Sequence, residues 1–374
     1  MNLNLTSLGW NPNLQSHLES YADPSLIPAR VVRQNRDQYI LNTGDRERVA
    51  QLPGSFHQRI SSEIDYPTVG DWVVLQCDPN HDIQLILDVL PRKSVFTRQA
   101  AGRTSAHQLV AANFDFLFLV SGLDGDLNPR RIQRYLTLAW NSGAEPVVLL
   151  NKADLCHDLE AALQEVKTVA NEATILAVSA KNPQSLIPLQ PYLQQGKTVA
   201  LLGSSGVGKS TLINALLGES RLATQANRAS DSRGKHTTTW REILSIPTGA
   251  CLIDLPGMRE LQLTGEEAGI SKTFADIEAI ARDCRFRNCR HQGEPGCAVE
   301  SAIEAGLIDH DRYLQYSKIK DESRAAAKRR GALQPANAKK KRALEEKEQR
   351  FKEISKSMKR TRKAHRKGGH IDGF

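Results

Sequence analysis

One short segment of the chain has the glycines, the lysine and the hydroxyl group of a phosphate-binding loop. Residues 203–210 read G-S-S-G-V-G-K-S, which fits G-x-x-x-x-G-K-[ST], and they lie between a predicted strand at 199–202 and a predicted helix at 209–217. In such a loop, backbone N–H groups surround a β-phosphate at the positive end of a helix. Lys209 would reach the β- and γ-phosphates, and the Ser210 hydroxyl would bind Mg²⁺. The residues predicted to contact the phosphates are Gly203, Ser204, Ser205, Gly206, Val207, Gly208, Lys209, Ser210 and Thr211.

A second motif predicts that the base is guanine. Residues 151–154 read N-K-A-D and follow a predicted strand at 146–150. The Asp154 carboxylate can accept hydrogen bonds from N1–H and from the exocyclic amine of guanine, a donor pair that adenine lacks. Lys152 would lay its aliphatic stem along the base, and Asn151 would brace neighbouring loops. The loop after the next predicted strand, at 174–178, would contact the guanine O6 through Ser179, Ala180 and Lys181.

A third motif would bind the magnesium ion and sense the γ-phosphate. Residues 254–257 read D-L-P-G after a predicted strand at 250–253, which fits D-x-x-G. Asp254 would hold Mg²⁺ through water, and the Gly257 N–H would contact the γ-phosphate. The preceding segment, 227–240, is rich in Ser, Arg, Gly and Thr, a composition typical of a mobile switch. Thr238 is the favoured ligand to complete the Mg²⁺ site, and Thr237 is the alternative.

One expected catalytic residue is missing. Many GTPases place a glutamine directly after the D-x-x-G glycine to orient the attacking water, but this chain has Met258. Either hydrolysis is very slow or another residue takes this role. His236, beside the threonines of the switch segment, is the best candidate; the alternative is that it is an exposed loop histidine. The predicted catalytic set is therefore His236, Lys209 and Thr238.

Four residues near the C-terminal third have the chemistry of a structural metal site. Cys284, Cys289, His291 and Cys297 offer three thiolates and one imidazole, a closed tetrahedral set for Zn²⁺. In a reducing cytosol such clustering favours a metal over disulfides, although free thiols are the alternative. The weaker ligand candidates are His310, His365 and His370, and the isolated Cys77, Cys156 and Cys251 are predicted to be inert.

The elements that must position these motifs fall into five regions. Residues 28–98 contain short predicted strands at 29–32, 39–41, 48–50, 71–75 and 83–87, which favour an OB-fold, with an SH3-like barrel as the alternative. Residues 110–262 alternate strand and helix, as in a parallel sheet covered on both faces. Residues 263–321 predict a small α-helical zinc domain, with helices at 270–283, 302–305 and 309–319. A polar lead-in without clear period, 1–27, and a tail, 322–374, complete the chain.

Charge is distributed unevenly. The chain of 374 residues has a net charge of +8, but residues 322–374 alone hold 18 Lys and Arg against 6 Asp and Glu, a net charge of +12. A basic tail with few aromatic residues is either a solvated extension or a contact for the phosphate backbone of a nucleic acid. The sequence has no apolar run of membrane-spanning length and no secretory signal, so we expect a soluble cytoplasmic protein.

The guanine-nucleotide motifs stand in an unusual order. N-K-A-D precedes the phosphate loop by about fifty residues, whereas ordinary GTPases place it well after. This order predicts a circularly permuted GTPase domain. Because the loops at the carboxyl ends of parallel strands meet at one edge of the sheet, the permutation leaves the site intact. It changes the exit of the chain, which passes soon after Gly257 into the predicted zinc domain.

This order of motifs, with a small β-barrel before it and the Cys/His cluster after it, resembles the ribosome small-subunit-dependent GTPase A family of bacteria over residues 28–330. Residues 234–239, G-K-H-T-T-T, are similar to the G-R-H-T-T-T of the family, with lysine in place of arginine. The resemblance implies an OB-fold, a permuted GTPase domain and a zinc domain in a monomer. It also implies GTP hydrolysis that is stimulated by the 30S subunit during late maturation, binding to 16S rRNA, one structural Zn²⁺, and Mg²⁺ with GTP.

Two other functions compete with this interpretation. The first is an RNA-binding chaperone with a vestigial nucleotide site, against which the intact Lys209, Ser210 and Asp254 argue. The second is a P-loop kinase or ATPase of small-molecule metabolism. Asp154 and the absence of an arginine-rich lid-like insertion in the sequence argue against it.

Overall fold

The computed structural model describes residues 3–35, 38–60, 62–78, 80–99, 107–170, 172–222, 242–255 and 267–329. The chain divides into two compact units, 1–324 and 325–374, and the described part of the second unit, 325–329, is helical. Among the residues singled out above, seven lie outside the described ranges: His236, Thr237, Thr238, Gly257, Met258, His365 and His370. Most of the basic tail also lies outside them. No helix among the described residues is long and apolar enough to cross a membrane.

Five strands close into a barrel in the order β1-β2-β3-β5-β4, where β3 and β5 are parallel and the other pairs antiparallel. The strands are β1 Leu26–Gln34, β2 Tyr39–Asn42, β3 Glu47–Gln51, β4 Trp72–Gln76 and β5 Ile83–Val89. Successive side chains of a strand point to opposite faces. Ala29 and Val31 of β1 therefore pack inside the barrel, whereas Val32 belongs to the main core outside it. The predicted OB-fold is confirmed, and the SH3-like alternative is rejected by this strand order.

The lead-in contains two helices that the sequence pattern did not predict: α1, Leu3–Ser7, and α2, Pro12–Glu19. Trp10 between them is buried and packs edge-on against Trp72 of the barrel, with ring centroids 4.8 Å apart. The Asn11 side chain caps α2 by accepting from the Leu14 N–H at 3.1 Å. Helices this short show no clear apolar period and depend on tertiary packing for their stability.

A hairpin leads from the barrel into a sheet of six strands in the order β10-β9-β8-β11-β13-β12, parallel except for β12. Along β9, Val147 and Leu149 belong to one core cluster and Val148 and Leu150 to another, so both faces of the sheet are covered. The hairpin is β6 Val95–Gln99 and β7 His107–Ala112; the sheet strands are β8 Phe116–Gly122, β9 Glu145–Asn151, β10 Thr174–Ala177, β11 Thr198–Gly203, β12 Ile243–Ser245 and β13 Cys251–Asp254.

The other α-helices among the described residues up to 222 are α3 Gly54–Arg59 in the barrel and α4 Pro129–Ser142, α5 Leu159–Lys167 and α6 Lys209–Leu217 around the sheet. Short 3₁₀ segments lie at Glu63–Asp65, Ala153–Leu155 and Pro183–Tyr192. The strand carrying the phosphate loop, β11, lies between β8 and β13 and is fourth along the chain among the six sheet strands. The predicted permuted P-loop GTPase fold is confirmed.

The helical region after the sheet differs in two respects from the sequence prediction. The prediction of a single helix at 270–283 is wrong. The chain forms two helices, Ala268–Thr273 and Ala275–Ala281, which are separated by a break at Phe274. The Phe274 ring is fully buried and packs edge-on against Tyr316 at 5.5 Å. After the helix Ala298–Glu304, a helix from 310 to 329, the last one within the described residues, continues into the region that we assigned to the tail. There Ser323 is buried, and Glu322 forms an ion pair with Arg134 at 2.8 Å.

Candidate nucleotide site and metal centre

The predicted nucleotide motifs meet at one crevice of the sheet. The chain passes from β8 outward to β9 and β10, and then returns to β11 on the other side of β8. Such a reversal of strand order opens a crevice beyond the carboxyl ends of the strands, where ligands of open α/β sheets bind. Asn151 ends β9, Gly203 ends β11 and Asp254 ends β13, so residues distant in sequence share this edge.

Glycines in the phosphate loop are required by close approaches of the backbone. Gly208 has a φ of +92°, and a Cβ there would lie 2.5 Å from the Asn151 amide nitrogen. At Gly203 a Cβ would lie 2.4 Å from the Val120 carbonyl oxygen of β8. No larger side chain fits at either position without moving backbone or the buried Asn151. The loop is thus held against β8 and against Asn151 at the end of β9.

Lys209, at the start of α6, points back over the phosphate loop. Its Nζ donates to the carbonyl oxygens of Gly203 at 2.7 Å and Ser204 at 3.1 Å. Burial lowers the pKa of Lys209, and the charge of Asp254 opposes that shift. Among the described residues, the side-chain hydrogen bonds of Lys209 go to two neutral carbonyls of its own loop, so this cation is well placed to pair with phosphate oxygens instead.

Asp254 offers an oxygen ligand beside this lysine. Burial raises the pKa of its carboxyl group, and Lys209 acts in the opposite direction. Its Oδ1 atom is buried and has no hydrogen-bond partner within the described part of the chain. A buried carboxylate oxygen without a partner is costly unless a ligand satisfies it. The carboxylate of Asp254 and the hydroxyl of Ser210 are the hard oxygen ligands that Mg²⁺ prefers, so these residues fit that ion.

Asn151 connects its own loop to the two other loops that are predicted to surround the guanine base. The side chain is buried; its Nδ2 donates to the Val207 carbonyl at 2.9 Å, and its Oδ1 accepts from the Ala180 N–H at 3.2 Å. The first bond reaches the phosphate loop and the second reaches the loop after β10. The two loops therefore keep a fixed distance, which suits a ligand that must contact both at once.

Asp154 is exposed and oriented by a chain of hydroxyl groups. The Ser179 hydroxyl donates to Asp154 Oδ1 at 2.6 Å, and the Ser185 hydroxyl donates to the Ser179 carbonyl at 2.9 Å. Ser185 in turn accepts from the Ser179 N–H at 2.8 Å. The carboxylate is thus fixed while one side remains open to a base. Sequence reasoning missed Ser185, since no motif marks it.

Two acidic residues after β8 were also missed. The Lys152 ammonium donates to Asp124 and to the Gly206 carbonyl, the latter at 2.7 Å, and this contact lowers the pKa of Asp124. Asp126 accepts from the Ser204 hydroxyl at 2.9 Å. Acidic residues directly after a buried strand, as in D-G-D at 124–126, were a signal that could have placed them at this edge.

The four residues of the predicted metal site lie together. Their ligand atoms are all within 4.8 Å of one another, and the cluster can hold a metal ion. His291 Nδ1 lies 3.6 Å from Cys284 Sγ and 3.4 Å from Cys297 Sγ. His291 has a φ of +59°, and its carbonyl accepts from the Tyr313 hydroxyl. His310 is exposed and is not part of the cluster, while His365 and His370 lie outside the described residues.

Comparisons with known proteins place this architecture in one family. The model of the RsgA GTPase family matches residues 89–264. The chain is 48% identical over 305 residues to the small ribosomal subunit biogenesis GTPase RsgA of Xylella fastidiosa, which covers 81% of this chain and 90% of that protein. Among solved structures it is similar to YjeQ from Thermotoga maritima, with 27% identity and a TM-score of 0.59 over 80% of this chain and 98% of that chain. The fold is also that of YloQ, described as a circularly permuted GTPase, with 24% identity and a TM-score of 0.56 over 79% and 96% of the two chains.

The identity and the coverage of these relatives show which family the chain belongs to. The relative is 48% identical over 81% of this chain and nine-tenths of its own length, and the family model matches residues 89–264. The chain therefore belongs to the RsgA GTPase family and is a GTP hydrolase.

Proposed function

We propose that this GTPase acts in late maturation of the 30S ribosomal subunit, binds 16S rRNA as a monomer in the cytoplasm, and is stimulated by the subunit. The observation that carries the proposal is the barrel joined to a permuted GTPase sheet in one unit, in a chain 48% identical to a protein named small ribosomal subunit biogenesis GTPase. Family membership argues against both alternatives, the vestigial chaperone and the small-molecule kinase. The proposed domains are the OB-fold at 28–98, the GTPase domain at 110–262, the zinc domain at 263–321 and the tail from 322 to 374, after the lead-in 1–27.

In the proposed site, the chain holds GTP by its phosphates and by its base. The loop 203–211 surrounds the phosphates, Lys209 neutralises the β- and γ-phosphates, and Asp154 with the loop at 179–181 selects guanine. Ser210, Thr238 and, through water, Asp254 would hold Mg²⁺, which when bound neutralises charge on the phosphate oxygens. The metal of the Cys/His cluster is proposed to be Zn²⁺, because three thiolates and one imidazole suit that ion in a closed tetrahedral site.

Two basic regions and the fold of the barrel support an RNA partner. The tail carries a net charge of +12 with few aromatic residues, so it would contact phosphates rather than read bases. A groove of about 970 Å³ lies beside the metal cluster, and its basic lining residues are Arg282, Arg287, Arg290, Lys320 and Arg324. Phe286 in the same groove is 43% exposed and could stack on an unpaired base. The barrel belongs to a fold that commonly binds oligonucleotides.

The function is tested by GTP turnover of the protein alone, with 30S subunits and with 50S subunits. We expect 30S subunits to raise turnover by at least about tenfold, because an external partner that completes a GTPase site accelerates hydrolysis strongly. The 50S subunit is the matched control, since it offers a similar density of RNA phosphate. Equal stimulation by both subunits, or by neither, would contradict the proposed function.

The base preference is tested with Asp154→Asn. We expect the affinity for GDP to fall about 100-fold, because an amide cannot accept both guanine donors and about 3 kcal/mol of paired hydrogen bonding is lost. The affinity for xanthosine diphosphate should rise, because the amide N–H of asparagine can donate to the carbonyl that replaces the guanine amine.

The matched control is Asp158→Asn. It makes the same chemical change four residues away, where the side chain only caps α5 by accepting from the Ala161 N–H at 2.9 Å. Asparagine caps equally well, so this variant should bind both nucleotides as the wild type does. Unchanged GDP affinity in Asp154→Asn would show that the carboxylate does not contact the base.

A further inference from the structure

Glu242 lies where the β-barrel meets the nucleotide-binding sheet. The Arg33 guanidinium on β1 donates to Glu242 Oε1 at 2.6 Å, and Arg221 donates to the same oxygen at 2.8 Å. Arg33 and Glu242 also form an isolated antiparallel backbone bridge. We call these three residues the Glu242 cluster. Side chain and backbone thus both connect the barrel to the residue that begins the β12 region.

The cluster also brings together two points that flank one segment of the chain. Arg221 stands just before the segment 223–241 and Glu242 directly after it. Since both arginines bind one carboxylate oxygen, Arg221 and Glu242, which flank this segment, lie side by side and are held against the barrel strand β1. The segment carries His236 and Thr238, the residues proposed for water orientation and for Mg²⁺.

A short path leads from the cluster to the nucleotide site. Glu242 is followed by β12, in which Ile243 pairs with Ile253 of β13. The next residue of β13 is Asp254, which pairs in register with Leu201 of the strand that carries the phosphate loop. Val32, next to Arg33 on β1, belongs to the same apolar cluster as Ile243 and Ile253. A shift of β1 would therefore displace Arg221 and Glu242, and through β12 it would displace β13.

The ion pairs themselves add little to the stability of the fold. The side chains of Arg33 and Glu242 are 29% and 25% exposed, and that of Arg221 is 45% exposed. Ion pairs that remain in contact with water are screened and typically contribute little to the free energy of unfolding. Removing one partner should therefore leave the protein folded and change mainly the position of the connected strands.

We propose that Glu242 is a positioning residue: together with Arg33 it couples the β-barrel to Arg221, to β12 and, through β13, to Asp254, and it transmits subunit binding at the barrel to GTP hydrolysis. The inference rests on the proposed function, because it requires that the 30S subunit stimulates turnover. It assigns the coupling to one carboxylate that two arginines share, one on the barrel and one at the base of the segment.

The kinetic test compares Arg33→Ala, Glu242→Ala and the double variant at saturating 30S subunits. Each single variant should lower the stimulated kcat roughly fivefold, with basal turnover and GDP affinity unchanged, as expected for residues that couple two sites without touching a ligand. The double variant should lose no more than either single variant, because the residues act through one contact. Arg33→Lys should restore most of the rate.

Arg46→Ala is the matched control. It removes one positive charge from the same barrel, but its side chain is 66% exposed and lies 3.7 Å from Asp45, away from the cluster. It should change at most the 30S concentration that gives half-maximal stimulation. A double variant with about 25-fold loss, or an unchanged stimulated kcat in Arg33→Ala, would overturn the coupling.

Hydrogen–deuterium exchange separates failure of the coupling from failure of the proposed function. In the full chain with GDP, peptides covering β12 should exchange roughly fivefold faster in Arg33→Ala than in wild type or Arg46→Ala, because the bridge to β1 is weakened. If 30S subunits do not stimulate turnover of the wild type, the proposed function fails, and the exchange rate of β12 then decides whether the barrel is coupled to β12. Equal exchange in all three proteins overturns the coupling.

Discussion

His236→Ala is expected to lower the 30S-stimulated rate of GTP hydrolysis by about 10²- to 10³-fold, the range for loss of a group that positions or activates the attacking water. The described site explains why such a residue is needed. Lys209 is directed at the phosphate loop, and the half-buried Asp254 is suited to Mg²⁺, so neither is placed to orient a water. Met258 cannot do so by its chemistry. The affinity for GDP should be nearly unchanged, because the base and phosphate contacts come from other loops.

The measurement is single-turnover hydrolysis with saturating 30S subunits, with the GDP dissociation constant measured in parallel. His310→Ala is a suitable control, because it removes an exposed histidine of the same chain that is not part of the metal cluster. Met258→Gln is a complementary test, in which a gain of activity is expected. A glutamine at that position should raise the basal rate of GTP hydrolysis, and it should do so even in the His236→Ala background. Full stimulation of His236→Ala would assign water orientation to another residue.

Loss of the metal is expected to have the largest effect on stability. Structural Zn²⁺ sites of this ligand type bind with about 10–16 kcal/mol, and this binding energy is folding energy for the surrounding segment. Cys297→Ser should therefore abolish bound zinc and unfold the residues around the cluster before the sheet melts. The wild type should contain one zinc ion per chain.

Cys297 is the informative ligand to replace because it also caps a helix. It is the N-cap of the helix Ala298–Glu304, and its Sγ accepts from the Glu300 N–H at 3.4 Å. Serine is a strong N-cap, so the variant keeps the cap and loses only the metal ligand. Cys156→Ser, outside the cluster, should keep both zinc and stability. Elemental analysis measures the zinc content of each variant, and a thermal melt measures its stability. One zinc ion per chain in Cys297→Ser would contradict the prediction that Cys297 is a zinc ligand.

The sequence by itself determined the features that depend only on residues close together in the chain. The phosphate loop needs glycine at the left-handed Gly208 and a lysine at the start of a helix, and those requirements are written within eight residues. The strands β8, β9 and β11 are buried on both faces, so they are nearly continuous apolar runs that a sequence reveals directly. The permuted order of motifs is likewise a property of the sequence alone.

Tertiary structure alone decided the features that depend on which surfaces meet. The helix expected at 270–283 breaks at Phe274, whose ring is buried against Tyr316, and the lead-in forms helices where Trp10 packs on Trp72. The Arg33–Glu242 contact joins residues 209 positions apart, and no local pattern marks either partner. Local propensity is worth a fraction of a kcal/mol per residue, whereas burying one aromatic ring is worth several times more. Packing therefore overrules local preference at these positions, and only the folded chain shows where.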